Sequence, residues 1–289
     1  MRSLGRCLAV SSVLVLLDFI VFAQPTMPTS NVLTRVLMVQ SQYGRGSIFS
    51  IDVDQREYWI TAKHLLNGRL HPPYGVIGAK SIALKILNPI GEGEQWLPET
   101  FSVIDPGDDI DIVVLAPATP ILSNPIPSLA TGADQLFLGE DCEFLGFPYG
   151  GGWRAGTSLQ SFWMPFVKHC TVSAFWGNSF GIKKVWVLDG INNEGFSGGP
   201  VIFGTSPQQR IFAVVSGYYT EPVEVVPFDS AKLNHEKKYH DEPSSQPAND
   251  NAHGREKVNV NSGFIVAFDI SYAIDAIKKN PIGPLRTEK

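Results

Sequence analysis

Asn193-Glu194-Gly195-Phe196-Ser197-Gly198-Gly199-Pro200-Val201 sets one serine among three glycines, then continues into the apolar run Val201-Ile202-Phe203. Glycine lets backbone approach a ligand closely and adopt turns that a side chain forbids. A serine in such a turn is exposed, with peptide N–H groups beside it that face a developing negative charge. A nucleophilic hydroxyl and an oxyanion hole in the same few residues are what acyl transfer needs. Two other readings compete. A Gly-Ser-Gly-Gly segment also serves as an ordinary turn. Gly195-x-Ser197-x-Gly199 also fits the nucleophile elbow of α/β-hydrolases, which needs a helix straight after the serine. Pro200 and the β-branched residues behind it predict a loop leading into a strand instead. Residues elsewhere decide among them.

Two candidates precede the serine. His64 closes the strand-like Tyr58-Trp59-Ile60-Thr61-Ala62 in Thr61-Ala62-Lys63-His64, and Asp111 leads into Ile112-Val113-Val114-Leu115. Each alone is as compatible with a turn as with chemistry, and Asp108 and Asp109 compete with Asp111. Taken jointly, the order His64, Asp111, Ser197 is the order of a chymotrypsin-type triad. An α/β-hydrolase needs its acid and histidine after the serine, where this chain offers mainly a polar tract.

The 289 residues are 44% hydrophobic, enough for one large β domain or two smaller ones. A net charge of −5 gives no basic footprint for nucleic acid. The 27 Gly and 21 Pro suit short strands joined by turns, and three Cys are too few for a disulfide scaffold. Residues 1–23 read as an export signal: Arg2 and Arg6, an apolar Leu8–Phe22 run, then Val21-Phe22-Ala23 at a cleavage spacing. A retained anchor is the alternative, although about 15 apolar residues are short for a span. Residues 24–31 form a leader linker, which makes the mature protein secreted or periplasmic.

Strands are predicted at 32–39, 46–51, 58–62, 82–87, 100–104 and 112–115. The Pro-rich stretch 117–127 is a connector, and a second set covers 142–147, 170–174, 185–188, 201–203, 211–216 and 263–268. Gly150-Gly151-Gly152 reads as a hairpin tip, since it lacks the Lys-Ser/Thr of a phosphate loop. Residues 229–262 are charged and polar, a mobile loop in which His235, His240 and His253 are irregularly spaced, as solvated residues rather than metal ligands. Ser271 is expected to cap a short helix over 272–279 that Asn280-Pro281 stops.

With these residues in place, the chain resembles the trypsin-like, chymotrypsin-fold serine proteases, and most nearly the bacterial Deg/HtrA-type protease domain. The matching pieces are Gly44-x-Gly46-Ser47-Ile48-Phe49, Thr61-Ala62-Lys63-His64, Asp111-Ile112-Val113-Val114-Leu115, Gly146-Phe147-Pro148 and Gly195-Phe196-Ser197-Gly198-Gly199-Pro200. The resemblance covers about residues 32–280. It implies an all-β fold of two six-stranded antiparallel barrels, about 32–125 and 126–270, with a short C-terminal helix, a tail over 281–289 and no PDZ domain.

The resemblance further implies His64, Asp111 and Ser197 as catalytic residues, with an oxyanion hole from the N–H groups of Gly195 and Ser197. Ser216, Gly217 and Tyr218 would present backbone to a polypeptide substrate, and Ile191 would set the pocket for its cleaved residue, favouring small or apolar side chains. No metal or organic cofactor is implied, and no nucleic-acid partner. Three departures stand out. Phe196 replaces the acid that pairs with a newly cut N-terminus in proteases activated that way, and its bulk threatens the oxyanion loop. Lys63 replaces a small residue and is expected to point to solvent. Cys142 and Cys170 fall on strands that can neighbour each other, as a disulfide or as buried thiols. Alternatives are a catalytically silent peptide-binding module of the same fold, or an esterase using the same serine.

Overall fold

Runs such as Val36-Leu37-Met38-Val39 and Val113-Val114-Leu115-Ala116 have no polar face, so strands made of them must be covered on both sides. The computed structural model, which describes residues 27–89, 93–122, 127–157, 160–176, 184–224 and 257–286, covers them in a barrel. β1 (Val36–Ser41), β2 (Gly44–Val53), β3 (Arg56–Thr61), β4 (Ser81–Leu87), β5 (Trp96–Ile104) and β6 (Val113–Pro117) close in the order β1-β2-β3-β6-β5-β4. Leu37, Val39, Ile48, Trp59, Val113 and Leu115 pack together on one face of this sheet. Their alternating neighbours Val36, Met38, Phe49, Tyr58 and Val114 pack on the other.

A short β7 (Ala130–Thr131) leads to the second half. Its strands are β8 (Asp141–Gly146), a β9 (Trp153–Thr157) and β10 (Gln160–Met164) hairpin, β11 (Phe166–Trp176), β12 (Val185–Asp189), β13 (Pro200–Phe203), β14 (Arg210–Glu224) and β15 (Lys257–Asp269). The order β13-β8-β11-β12-β15-β14 closes through a β13–β14 pairing into a second six-stranded antiparallel barrel, with β7 parallel to β14 outside it. Phe144, Val201 and Phe212 form part of one cluster in this barrel. Leu145, Ile202 and Ile211, each one residue out of phase with these, join Val36, Met38 and Val114 of the first barrel in a shared core. The period of two therefore builds a cluster in each barrel and the seam between the barrels.

Three expectations need correction. Residues 32–34, expected within the opening strand, form helix α1 (Ser30–Thr34) with Ser30 and Asn31 of the expected leader linker: Thr29 Oγ1 accepts from Val32 N and Thr34 Oγ1 donates to Ser30 O, local bonds that compete with a strand ladder. Residues 257–262, expected in the mobile loop, extend β15 and pair with β14 as far as Glu224. The rest of that loop, with His235, His240 and His253, lies outside the described residues, as do residues 1–23. After helix α2 (His64–Asn67), the final helix α3 (Ser271–Lys279) has Ser271 as its first residue rather than its cap: Ile270 takes the cap position with no side-chain cap bond, and Asp269 Oδ1, one residue earlier, accepts from Ser271 N at 2.9 Å. No described helix is long and apolar enough to cross a membrane.

Beyond α3 the tail returns to the first barrel. Glu57 N donates to Pro284 O (3.0 Å) and Arg286 N to Gln55 O (2.8 Å). The Arg286 guanidinium reaches Asp52 at 3.2 Å and Glu57 at 3.5 Å, and Arg35 holds Asp52 at 2.6 Å, all nearly buried.

Candidate active site

Two loops, the start of one helix and one strand meet at the seam. β3 ends at Thr61 and hands His64 to the first turn of α2. Asp111 sits in the loop just before β6, Ser197 in the loop between β12 and β13, and Ser216 on β14. The Asp111 carboxylate is buried and fully engaged. Its Oδ2 accepts from His64 Nδ1 at 2.7 Å and from Ser216 Oγ at 2.5 Å, and its Oδ1 accepts from the His64 backbone N–H at 2.9 Å. Asp108 and Asp109 are exposed, so the structure brings Asp111 and neither neighbour to His64. Because a carboxylate only accepts, the proton of the imidazole is held on Nδ1 and Nε2 is left with its lone pair. Ser197 Oγ donates to the Ser216 carbonyl at 3.3 Å, the hydrogen bond it makes among the described residues. Ser216 thus binds Asp111 through its side chain and Ser197 through its backbone.

The serine's loop owes its shape to its glycines. Gly195 has φ +100°, and a Cβ there would lie 2.2 Å from the Phe147 carbonyl oxygen. A Cβ on Gly198 would lie 2.2 Å from Thr61 Oγ1 and 2.3 Å from the Ser47 carbonyl. The loop packs so tightly, Gly195 against the segment after β8 and Gly198 against the first barrel, that only glycine fits at these two positions. Bonds from outside orient its peptides: Tyr149 N–H donates to Glu194 O (2.8 Å), Ser47 Oγ to Gly195 O (2.7 Å) and Ser47 N–H to Ser197 O (2.8 Å). With those carbonyls turned away, the N–H groups of Gly195 and Ser197 donate to no acceptor among the described residues. Phe196 does not spoil this arrangement. It is fully buried in the second barrel, edge-on to Phe144 with ring centroids 4.8 Å apart.

Lys63, expected in solvent, is wholly buried. Its ammonium donates to Asp105 Oδ1 (2.6 Å) and to the Gly107 carbonyl, because a charge taken from water at that site needs a partner. It ties the loop that carries Asp111 to the start of the helix that carries His64. Tyr74 stands beside this network: burial, then the Asp111 charge, pushes its pKa up to about 12, with the Ser216 side chain acting in the opposite direction.

The remaining predicted residues line the same region. β14 pairs with β15 along one edge, while its pairing with β13 ends at Val214, so from Ser216 onward the other edge is unpaired among the described residues. Gly217 and Tyr218 are half-buried on this stretch, and Gly217 O accepts from Asn192 Nδ2 (3.3 Å). Ile191 has 54% of its surface exposed, so its side chain is not enclosed, and its carbonyl accepts from the Lys168 ammonium. Cys142 and Cys170 face each other across β8 and β11 as buried free thiols with sulfurs 2.6 Å apart, and burial pushes the Cys170 thiol pKa up. Among the described residues no group of three His, Cys, Asp or Glu side chains is placed to hold a metal ion.

Sequence reasoning missed Ser47, Tyr74 and Lys168. Only Ser47 carried a signal, as part of the Gly44-x-Gly46-Ser47 piece.

Two closed six-stranded antiparallel barrels, with the His, Asp and Ser on loops at their seam, decide the architecture. The chain has the fold of the trypsin-like serine proteases. No protein-family model and no curated protein matches it. Solved structures of that fold do. The active form of the Rv3671c protease of M. tuberculosis is 15% identical over 92% of this chain and 92% of its own, with a TM-score of 0.47. The HtrA-type protease AlgW with a tripeptide is 15% identical over 87% of this chain, with a TM-score of 0.48, and this chain spans 63% of AlgW. A serine endoprotease from Yersinia pestis is 16% identical over 88% of this chain and 67% of its own, with a TM-score of 0.45.

Proposed function

We propose that this chain is an exported serine endopeptidase that hydrolyses polypeptides through His64, Asp111 and Ser197. The observation that carries the reading is the single bonded network joining Asp111, His64, Ser216 and Ser197 beside two unspent N–H groups, at Gly195 and Ser197. Ser197 Oγ attacks the scissile carbonyl while His64 Nε2 takes its proton, and Asp111 stabilises the imidazolium that forms. The carbonyl oxygen gains charge as the tetrahedral centre forms and is met by the two N–H groups. His64 then gives the proton to the leaving amine, which departs and leaves an acyl-enzyme. Water, deprotonated by the same imidazole, releases the acid and restores the serine. The substrate binds as an added antiparallel strand along Ser216–Tyr218, with a small or apolar residue at the cleaved position beside Ile191.

One observation favours the silent peptide-binding alternative as a resting state: Ser197 Oγ points its proton at Ser216 O.

Fluorophosphonate labelling of protein beginning at Gln24 tests the proposal. The parent labels, while Ser197→Ala and His64→Ala do not. Asp111→Asn lowers turnover by about 10⁴-fold, as the loss of the correct tautomer does in this mechanism. A folded parent that stays unlabelled with and without added peptides rejects the enzyme. Turnover of short nitrophenyl esters with none of peptides assigns an esterase instead.

A further inference from the structure

The two oxyanion donors are only as good as the orientation of the Glu194–Gly195 peptide, because a flip of that peptide replaces a donor with a carbonyl. Glycine at 195 gives the freedom to flip. Something outside the loop must remove that freedom: Tyr149 N–H holds Glu194 O and Ser47 holds the carbonyls of Gly195 and Ser197, and behind Tyr149 the hydrogen bonds lead on to a lysine.

Lys168 lies on β11, in register with Phe144 on β8. Its ammonium donates to the Ile191 carbonyl and to Asn193 Oδ1 (2.9 Å). It also stands over the rings of Phe196 (5.6 Å from the centroid) and Phe144 (5.9 Å). Asn193 passes the restraint on: its Nδ2 donates to Tyr149 Oη at 3.0 Å, and the Tyr149 N–H holds Glu194 O. The cation therefore fixes the residue two before Gly195, the residue after Gly195, and, through Tyr149, the carbonyl of the peptide in question. Lys168 makes no ion pair with a carboxylate among the described residues. A surface lysine ordinarily leaves its ammonium in water. This one directs its charge at a loop carbonyl, an amide oxygen and two ring faces.

We propose that Lys168 is the positioning residue for the oxyanion hole, a built-in cation that clamps residues 191–196 with the Gly195 and Ser197 N–H groups facing the substrate. The clamp acts on a loop whose Phe196 offers a ring face where an acid would offer an ion pair. The proposal rests on the assignment of those two N–H groups as oxyanion donors.

Lys168→Met and Lys168→Arg test it, since Met keeps the apolar stem and loses the donors. Three quantities are read: amide hydrogen exchange across residues 190–199, the fluorophosphonate labelling rate, and kcat and KM on a cleaved peptide. With Lys168→Met, exchange in that loop speeds up by about tenfold or more while β8 and β11 keep their protection. Labelling and kcat fall by about 10²-fold, the size of losing one oxyanion donor. KM stays within about threefold, since a contact that acts only in the transition state lowers kcat alone. Tm moves by less than about 3 °C. Lys168→Arg recovers part of the rate by replacing the charge, which a merely structural stem would not do.

Unchanged loop exchange with unchanged labelling overturns the proposal. So does a rise in KM with kcat intact, which would make Lys168 a pocket wall. Faster exchange throughout the second barrel with a large fall in Tm overturns it as well. A parent that neither labels nor cleaves, but whose loop loosens on Lys168→Met and tightens on Lys168→Arg, upholds the clamp and removes the protease reading.

Discussion

Lys63→Met removes the ammonium of a buried pair and leaves Asp105 behind. Lys63 is fully buried, and its side chain is 0% exposed against 10% for Asp105. Breaking such a pair from one side costs about 3–5 kcal/mol, because an uncompensated charge stays inside. Asp105 keeps two other donors, Gly107 N on Oδ1 (2.9 Å) and Ile77 N on Oδ2 (2.6 Å), which places the loss at the lower end, about 3 kcal/mol. For a protein of this size each kcal/mol lowers Tm by about 2–4 °C, so the expected drop is about 6–12 °C. Thermal unfolding followed by circular dichroism measures it. Adding Asp105→Asn in the Lys63→Met background removes the stranded charge and should recover about half the loss. Turnover should fall too, since the tether holds the loop that ends at Asp111. A drop in Tm below about 2 °C, or a double variant weaker than Lys63→Met, would refute the reasoning.

Two further outcomes follow from buried titratable groups. The Tyr74 phenol ionises near 10 when unfolded and, through burial and the Asp111 charge, at about 12 when folded. Its contribution to stability is complete below pH 10 and is lost as pH rises from 10 to 12, amounting to about 2–3 kcal/mol. Alkaline melts of the parent should steepen across that window and those of Tyr74→Phe should not; parallel curves would sink the assignment. Cys142 and Cys170 should be silent toward Ellman's reagent in the folded protein and react once guanidinium exposes them. A denatured, unreduced protein in which they stay silent would show a disulfide instead.

The serine loop was legible because its chemistry is local: a turn against neighbouring backbone leaves no room for a Cβ, and the chain has glycine there. The barrels were legible because runs such as Val36–Val39 and Val113–Ala116 are apolar at every position and buried on both faces. Local rules also explain the misplaced first strand. Val32-Leu33 suits a strand, but the hydroxyls of Thr29 and Thr34 turn the backbone into α1 before β1 begins. What the sequence hid depends on distant partners. Lys63 meets Asp105 across 42 residues, Lys168 meets Asn193 across 25, and Ser47 Oγ meets Gly195 O across 148. Nothing near Lys63 announces its acid, so solvent was the natural expectation. His64 and Asp111 were legible through their order with Ser197, whereas Ser216 was seen as substrate edge alone and its bond to Asp111 needed the tertiary structure.

The returning tail sets an order of events during synthesis. Asp52 and Glu57 are buried in the first barrel, yet Arg286, which reaches both, is more than 220 residues away, |i−j| = 234 from Asp52. A nascent chain that has emitted the whole first barrel still lacks the cation that balances Glu57 and the carbonyl of Pro284 that takes the Glu57 N–H. Asp52 already has Arg35 within the first barrel, whereas the buried Glu57 has only the N–H donors of Trp59, Ile121 and Leu122 until the tail arrives. The β2–β3 hairpin gains its last cation when the tail docks. The first barrel therefore takes up the last of these partners only after every residue up to Arg286 has been made.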